Sequence, residues 1–180
     1  MIRDLTGLIH TIAASVAIII GAIVFLRPKG GTVHRVLGYG YSLCMLTVIV
    51  TSFAIYRLTG RFNFLHGAAI ASSISMGLGF GHAFSRRPKN MWYGLHFYWM
   101  SWSYIGLLAA FVAELSARLA FPFIVAKFGR SYLVGFWCVV GLATALVVLV
   151  GGRLVSMHSP WKKQKQPNQA LQPTAPSGRG

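Results

Sequence analysis

The sequence predicts an all-α integral membrane protein, with a bundle of four transmembrane helices and a fifth transmembrane helix alongside. Of its 180 residues, 55% are apolar, and the mean hydropathy is +0.60. Only 11% are charged, whereas a soluble domain carries about a quarter. Apolar runs of nearly twenty residues recur along the chain, and this is the length that crosses a bilayer as a helix.

Five apolar runs define the predicted spans, and basic, glycine or proline residues separate them. The first run ends at Pro28, and a turn around Pro122 is expected before the last. From residue 156 onward Pro, Gln and Lys dominate, so we predict a disordered tail over 156–180 behind a transmembrane domain over 1–155. The predicted spans are 5–26, 36–56, 64–84, 91–115 and 132–150.

The charge distribution indicates a lipid bilayer as partner and excludes nucleic acid. The net charge is +15, and the only two acidic residues are Asp4 and Glu114. The basic residues form short clusters between apolar runs, which is typical of membrane loops. Counting the lysines of the tail, their excess on one side predicts an external N-terminus and a cytoplasmic C-terminal tail. Two carboxylates also exclude chemistry that needs paired acids, such as glycoside hydrolysis.

The fourth span carries a polar stripe that should face protein rather than lipid. Its two polar ends, His96 and Glu114, are separated by five helical turns, or roughly 27 Å. Polar groups inside a membrane normally point toward the interior of a helix bundle. The stripe, stepped by three and four residues, contains His96, Met100, Ser103, Leu107, Ala110 and Glu114.

Two stripes of small residues are expected to let helices approach closely, because small side chains allow tight packing in lipid. One lies on the first span with His10, and the other lies on the third span on the side of His66. The stripes are Ala14, Ala17 and Gly21, and Ser73, Gly77 and Gly81.

Five of the six histidines lie at helix ends and sort into two layers. The layer on the predicted cytoplasmic side contains His34, His82 and His96. The layer on the opposite side contains His10 and His66, together with Glu114. Only His158, in the tail, falls outside this pattern.

Neutral imidazoles bind haem iron and zinc well, which leads to a haem b hypothesis. In it, the protein passes electrons and has a quinone or a redox protein as partner. One haem site would use His10 with His66, and the other would use His96 with His82 or His34.

Two alternatives stay open, and the sequence does not decide whether the protein is an enzyme. The first is a membrane-embedded zinc hydrolase at the cytoplasmic leaflet, with an open fourth metal position and the ligands His34, His82 and His96. It lacks an Asp or Glu on that side to act as general base. The second is a small transporter or a non-catalytic membrane scaffold, in which the histidines simply lie at the membrane interface.

Glu114 also has two interpretations. Arg118 follows it by four residues, the favourable order for an ion pair along a helix. Alternatively Glu114 faces His10 and His66 and takes part in proton movement.

Two segments resemble a known family: KGGTVHRVLGYGY over 29–41, and H-x3-M-x2-SYIGLLAAFVAE from His96 to Glu114. They are similar to the bacterial predicted membrane proteins grouped as domain-of-unknown-function family 2306. The resemblance covers about 7–118, leaves the fifth span outside, and implies a multi-pass protein of the bacterial inner membrane. It implies no catalytic mechanism. Its signature positions here are His34, Gly38, Tyr41, His96, Ser103 and Tyr104.

Overall fold

The computed structural model describes residues 2–59, 64–128 and 133–160, and these residues form five α-helices without a strand. This confirms the all-α prediction. The helices are α1 (Ile2–Leu26), α2 (Thr32–Thr59), α3 (Phe64–Ser85), α4 (Trp92–Phe128) and α5 (Leu133–His158).

Four of the described helices are long and apolar enough to cross a membrane, which confirms a membrane protein with several spanning helices. The qualifying stretch of α1 has a mean hydropathy of 2.5, and that of α5 has 2.4. The stretches are Leu5–Leu26, Thr32–Ile55, Trp92–Ser116 and Val134–His158.

Two predicted boundaries differ from the structure. The expected turn around Pro122 is wrong, because α4 continues through this residue to Phe128. Apolar residues flank Pro122 on both sides, and helices in a membrane tolerate proline where neighbouring groups satisfy the freed carbonyl. Helix α5 extends to His158, so the first residues of the predicted tail are helical. Residues 161–180 lie outside the described part of the chain.

Helix α4 is the centre of the bundle. Its most extensive contacts are with α3 and α5, and a smaller contact joins it to α1. Helices α1 and α2 pack along each other, and α2 also touches α3. Helix α5 approaches α4 through two glycines, since a Cβ on Gly151 would lie 2.7 Å from Ile105 and one on Gly152 would lie 3.4 Å from Trp102.

Many of the buried residues are small or polar, although Tyr41, Met45 and Phe136 are buried as well, and many large apolar residues face outward. Ala17 and Ser103 are fully buried, whereas Leu142 is 71% exposed. This distribution suits a bilayer, where lipid covers the large apolar side chains and small residues bring helices together. The polar stripe of α4 faces the interior as predicted, because Ser103 and Leu107 are both buried.

The small-residue stripe of α1 is confirmed, and that of α3 is wrong. Ala14, Ala17 and Gly21 are buried, and a Cβ on Gly21 would collide with the ring of Tyr104. In α3, Gly77 and Gly81 are exposed with nothing near them, and Gly79 packs against Met100 of α4 instead. Both faces of α3 carry small residues, so the spacing alone did not select the packed face.

Candidate functional site

A cavity of about 450 Å³ lies where α1 ends, α2 begins, α3 ends and α4 begins. Its walls are rich in aromatic side chains, and they also contain two histidines and three cationic residues. The aromatic residues are Phe25, Tyr39, Tyr41, Phe80, Phe84, Trp92, Tyr93, Phe97 and Tyr104. This size and apolar character are typical of a small-molecule or cofactor site.

The two histidines of the cavity, His34 and His96, form a pair. Their ring centroids are 6.5 Å apart, and the ring planes are nearly perpendicular at 85°. His34 lies in the first turn of α2 and His96 in the second turn of α4. The packing of the bundle therefore brings together two members of the predicted cytoplasmic histidine layer.

Hydrogen bonding sets the chemical state of this pair. Nδ1 of His96 lies 2.8 Å from the carbonyl oxygen of Gly79. A carbonyl only accepts, so Nδ1 carries a hydrogen, and in the neutral ring Nε2 keeps the lone pair. Nδ1 of His34 is buried and has no hydrogen-bond partner. A buried orphan nitrogen is uncommon and often marks a missing ligand or water.

The rim of the cavity is cationic. Lys29, Arg35 and Arg86 all line it, and its described lining contains no carboxylate. Nζ of Lys29 donates a hydrogen bond to the carbonyl oxygen of Phe25 at 2.7 Å, which holds the lysine at the end of α1. This arrangement favours a ligand with negative charge at one edge and an apolar body.

Two tyrosines form the inner wall. The hydroxyls of Tyr41 and Ser103 lie 3.1 Å apart, and the Tyr104 hydroxyl donates to the carbonyl oxygen of Ile18 at 3.0 Å. The Tyr104 ring rests where Gly21 has no side chain. These contacts join α1, α2 and α4 behind the histidine pair, so the wall is built by three helices at once.

The positions that carry the family resemblance gather at this cavity. Five of them, His34, Gly38, Tyr41, His96 and Tyr104, line it directly, and the sixth, Ser103, is the hydrogen-bond partner of Tyr41. The chain matches the family described as "Predicted membrane protein (DUF2306)" over residues 7–150. It belongs to this family. Neither a curated protein nor a solved structure matches the chain.

The family match is longer than expected from the sequence motifs. It continues beyond residue 118 and includes α5 as far as residue 150. The expectation that the fifth helix lies outside the family was therefore wrong. Short motifs mark only the most distinctive stretches, and the apolar residues of α5 carry little that can be recognised by eye.

His82 does not join the other two histidines of its predicted layer at the cavity. Its Nδ1 lies 2.8 Å from the carbonyl oxygen of Arg87, and it lines a separate, open depression with Lys89. Among the described side chains, no three His, Cys, Asp or Glu are placed to hold a metal ion. The zinc set of His34, His82 and His96 thus stays a prediction without a built site.

The opposite histidine layer also has a contact at its centre. Nδ1 of His10 lies 2.9 Å from Oγ1 of Thr51, and Nε2 of His10 lies 3.7 Å from Oε2 of Glu114. The prediction that Glu114 faces His10 is confirmed. The structure describes the backbone of His66 and Arg118 but not their side chains, so their pairings stay predictions.

Sequence reasoning missed Thr51 and the cationic rim as parts of these sites. Thr51 is buried. The signal available in the sequence was its position as a polar residue in the apolar second half of α2. Lys29 and Arg86 were counted only as loop charges, because nothing in their spacing indicates that two different loops border one cavity.

Proposed function

We propose that this membrane protein binds haem b in the cavity between α1, α2, α3 and α4 and passes electrons, and that His34 and His96 would hold the iron. The 6.5 Å separation of their ring centroids carries the proposal. Two imidazoles that bind one metal ion from opposite sides, with about 2 Å for each metal–nitrogen bond, place their centroids roughly 6 Å apart.

The protonation pattern supports this assignment. The hydrogen bond from Nδ1 of His96 to the Gly79 carbonyl is the kind of contact that normally orients a metal-binding histidine and directs its other nitrogen to the metal. The buried Nδ1 of His34 lacks a partner. A metal ion in the cavity would be bound by the lone pair of one nitrogen from each ring.

The shape and charge of the cavity support a flat, anionic macrocycle. Aromatic side chains such as Trp92 and Phe97 offer flat apolar surfaces, and Lys29, Arg35 and Arg86 suit the two carboxylates of haem b. When bound, haem supplies reversible one-electron chemistry at iron. A quinone or a redox protein is the class of partner that would exchange these electrons.

We infer that all five helices span the inner membrane of a bacterium, with an external N-terminus and a cytoplasmic tail. An odd number of spans places the two termini on opposite sides. The cations at the cavity, together with Arg87, Lys89 and Arg153, then lie on the cytoplasmic side, as the positive-inside rule requires.

The test is a dithionite-reduced minus oxidised absorption spectrum of detergent-purified protein from cells supplied with haem precursor, with iron and zinc measured on the same sample. A haem α-band is expected. It should be lost in His34→Ala and in His96→Ala and kept in His82→Ala, the matched histidine outside the cavity.

Three outcomes overturn the proposal. A band that persists in both His34→Ala and His96→Ala shows that other residues hold the haem. A colourless protein with about one zinc ion per chain indicates the zinc hydrolase. A colourless, metal-free protein that is well folded indicates a transporter or a scaffold.

A further inference from the structure

A second polar cluster lies at the other end of the bundle, remote from the cavity. Three helices meet there through His10 of α1, Thr51 of α2 and Glu114 of α4. The side chain of His10 is 12% exposed and that of Glu114 is 29% exposed. The cluster is thus largely enclosed, and the carboxylate is the more exposed of the two groups.

Thr51 contacts one of the two nitrogens of the His10 ring. Oγ1 of Thr51 has a single hydrogen, and three acceptors lie within reach: the backbone carbonyls of Thr47 and Val48, at 2.7 Å and 3.0 Å, and Nδ1 of His10, at 2.9 Å. When this hydrogen points to a carbonyl, the oxygen accepts from Nδ1, and when it turns to the ring, the hydroxyl donates to Nδ1. Thr51 can therefore partner His10 with or without a hydrogen on Nδ1.

The other nitrogen of the ring faces the carboxylate, since Nε2 of His10 and Oε2 of Glu114 are 3.7 Å apart. When Nδ1 accepts from Thr51, the neutral ring carries its hydrogen on Nε2, toward the carboxylate. When Nδ1 donates to Thr51, a second proton can lie on Nε2 or on the carboxyl group, giving an imidazolium beside a carboxylate or a neutral imidazole beside a carboxylic acid. The two states differ by one proton, and Thr51 is a hydrogen-bond partner of the ring in both.

We propose that His10 and Glu114 together bind one exchangeable proton, so that this end of the bundle is a proton-binding site. The site does not depend on haem in the cavity. Ionisable residues inside a membrane protein are costly, and they commonly mark proton or ion pathways.

Other ionisable residues lie near this end of the bundle and have to be controlled. Their side chains are outside the described residues, so each needs its own variant. They are Arg3 and Asp4 of α1, Tyr56 and Arg57 of α2, His66 of α3 and Arg118 of α4.

Because the chain has few acidic residues, the protonation of Glu114 and His10 can be measured directly. Asp4 and Glu114 are its only acidic side chains, so in an Asp4→Asn background the infrared band of a protonated side-chain carboxyl reports Glu114 alone. Nitrogen-15 NMR of the imidazoles reports His10, with the His10 variant used for assignment. The protein is titrated in detergent by both methods.

Two variants separate the members of the pair. His10→Asn keeps an N–H near the position of Nδ1 and removes Nε2, and Glu114→Gln is an uncharged isostere. Coupled sites titrate as a pair in two macroscopic steps. We expect the two steps of the parent protein to lie further apart than the single steps of the two variants, by at least about one pH unit. The two midpoints of the parent protein should have the same sum as the midpoint of His10→Asn and the midpoint of Glu114→Gln, since proton coupling is reciprocal.

Thr51→Val is a third variant, and it leaves both titrating groups in place. It removes the hydroxyl that contacts Nδ1 of His10, so the nitrogen-15 shift of Nδ1 should change. This result is expected even if one of the other variants does not fold.

The proposal is overturned if His10→Asn leaves the titration of Glu114 within about 0.3 pH units of the parent. It is also overturned if His66→Gln or Arg118→Gln, rather than His10→Asn, produces the shift. Because the infrared and NMR signals do not involve haem, failure here and failure of the reduced-minus-oxidised spectrum are separate results.

Discussion

His96 donates its Nδ1 hydrogen to the carbonyl oxygen of Gly79 across 2.8 Å, and this bond ties α4 to α3 at the edge of the cavity. Gly79 also lies against Met100, one turn after His96. A single glycine therefore orients the imidazole through its carbonyl and admits the neighbouring helix through its missing side chain.

Gly79→Ala should destabilise the bundle by about 1–3 kcal/mol, the usual cost of overpacking. The new Cβ would lie 2.8 Å from Sδ of Met100 and 3.1 Å from its backbone nitrogen. The thioether can move, but the backbone of α4 cannot move without shifting His96. Denaturant unfolding in detergent, followed by circular dichroism, measures the change in free energy.

Gly77→Ala is the matched control in the same helix. Nothing lies within 4 Å of a Cβ at this position, so no loss is expected, and the higher helix propensity of alanine should stabilise the fold by up to about 1 kcal/mol. Equal losses in Gly77→Ala and Gly79→Ala would contradict the observed rotation of α3 against α4.

The hydrogen bond between Tyr41 and Ser103 predicts unequal costs for its two partners. Ser103→Ala leaves the buried Tyr41 hydroxyl unpaired, and we expect a loss of about 1–3 kcal/mol. Tyr41→Phe should cost less, because a serine hydroxyl inside a helix can turn to the carbonyl four residues earlier. Unfolding of both single variants and the double variant measures the difference.

The double variant supplies the control for this pair. Substitutions of two residues in contact do not have additive effects on the free energy of unfolding. Tyr41→Phe combined with Ser103→Ala should therefore lower this free energy by less than the sum of the two single changes. Strict additivity would show that the 3.1 Å contact contributes nothing.

Substitution of Arg86 should have opposite effects on the stability of the fold and on the binding of an anionic ligand. It follows the end of α3, donates its backbone N–H to the His82 carbonyl at 3.0 Å, and has a φ of +50°. Glycine is favoured over other residues in this left-handed conformation by about 1 kcal/mol. Arg86→Gly should therefore stabilise the fold by up to this amount, while removing a cation from the cavity rim weakens the retention of an anionic ligand.

Unfolding in detergent and the haem content of the purified variant measure the two effects separately. Arg86→Asn is the control, because asparagine tolerates the same backbone conformation and also lacks the charge. Haem retention that is unchanged in both variants would remove Arg86 from the ligand site.

The sequence by itself determined the helices and the level of each polar group along them. Apolar run length sets a span, and a rise of 1.5 Å per residue sets the height of each histidine. These are local properties of the chain. For this reason, the interior stripe of α4 and the separate levels of His96 and His10 could be predicted.

Only the tertiary structure decided which side chains meet. The rotation of each helix depends on side-chain packing with its neighbours, and small residues on both faces of α3 made the face of Gly79 unpredictable. The same rotations brought His34 rather than His82 to His96 and placed Thr51 beside His10. Partner choice is a property of several helices at once, and spacing along a single helix does not encode it.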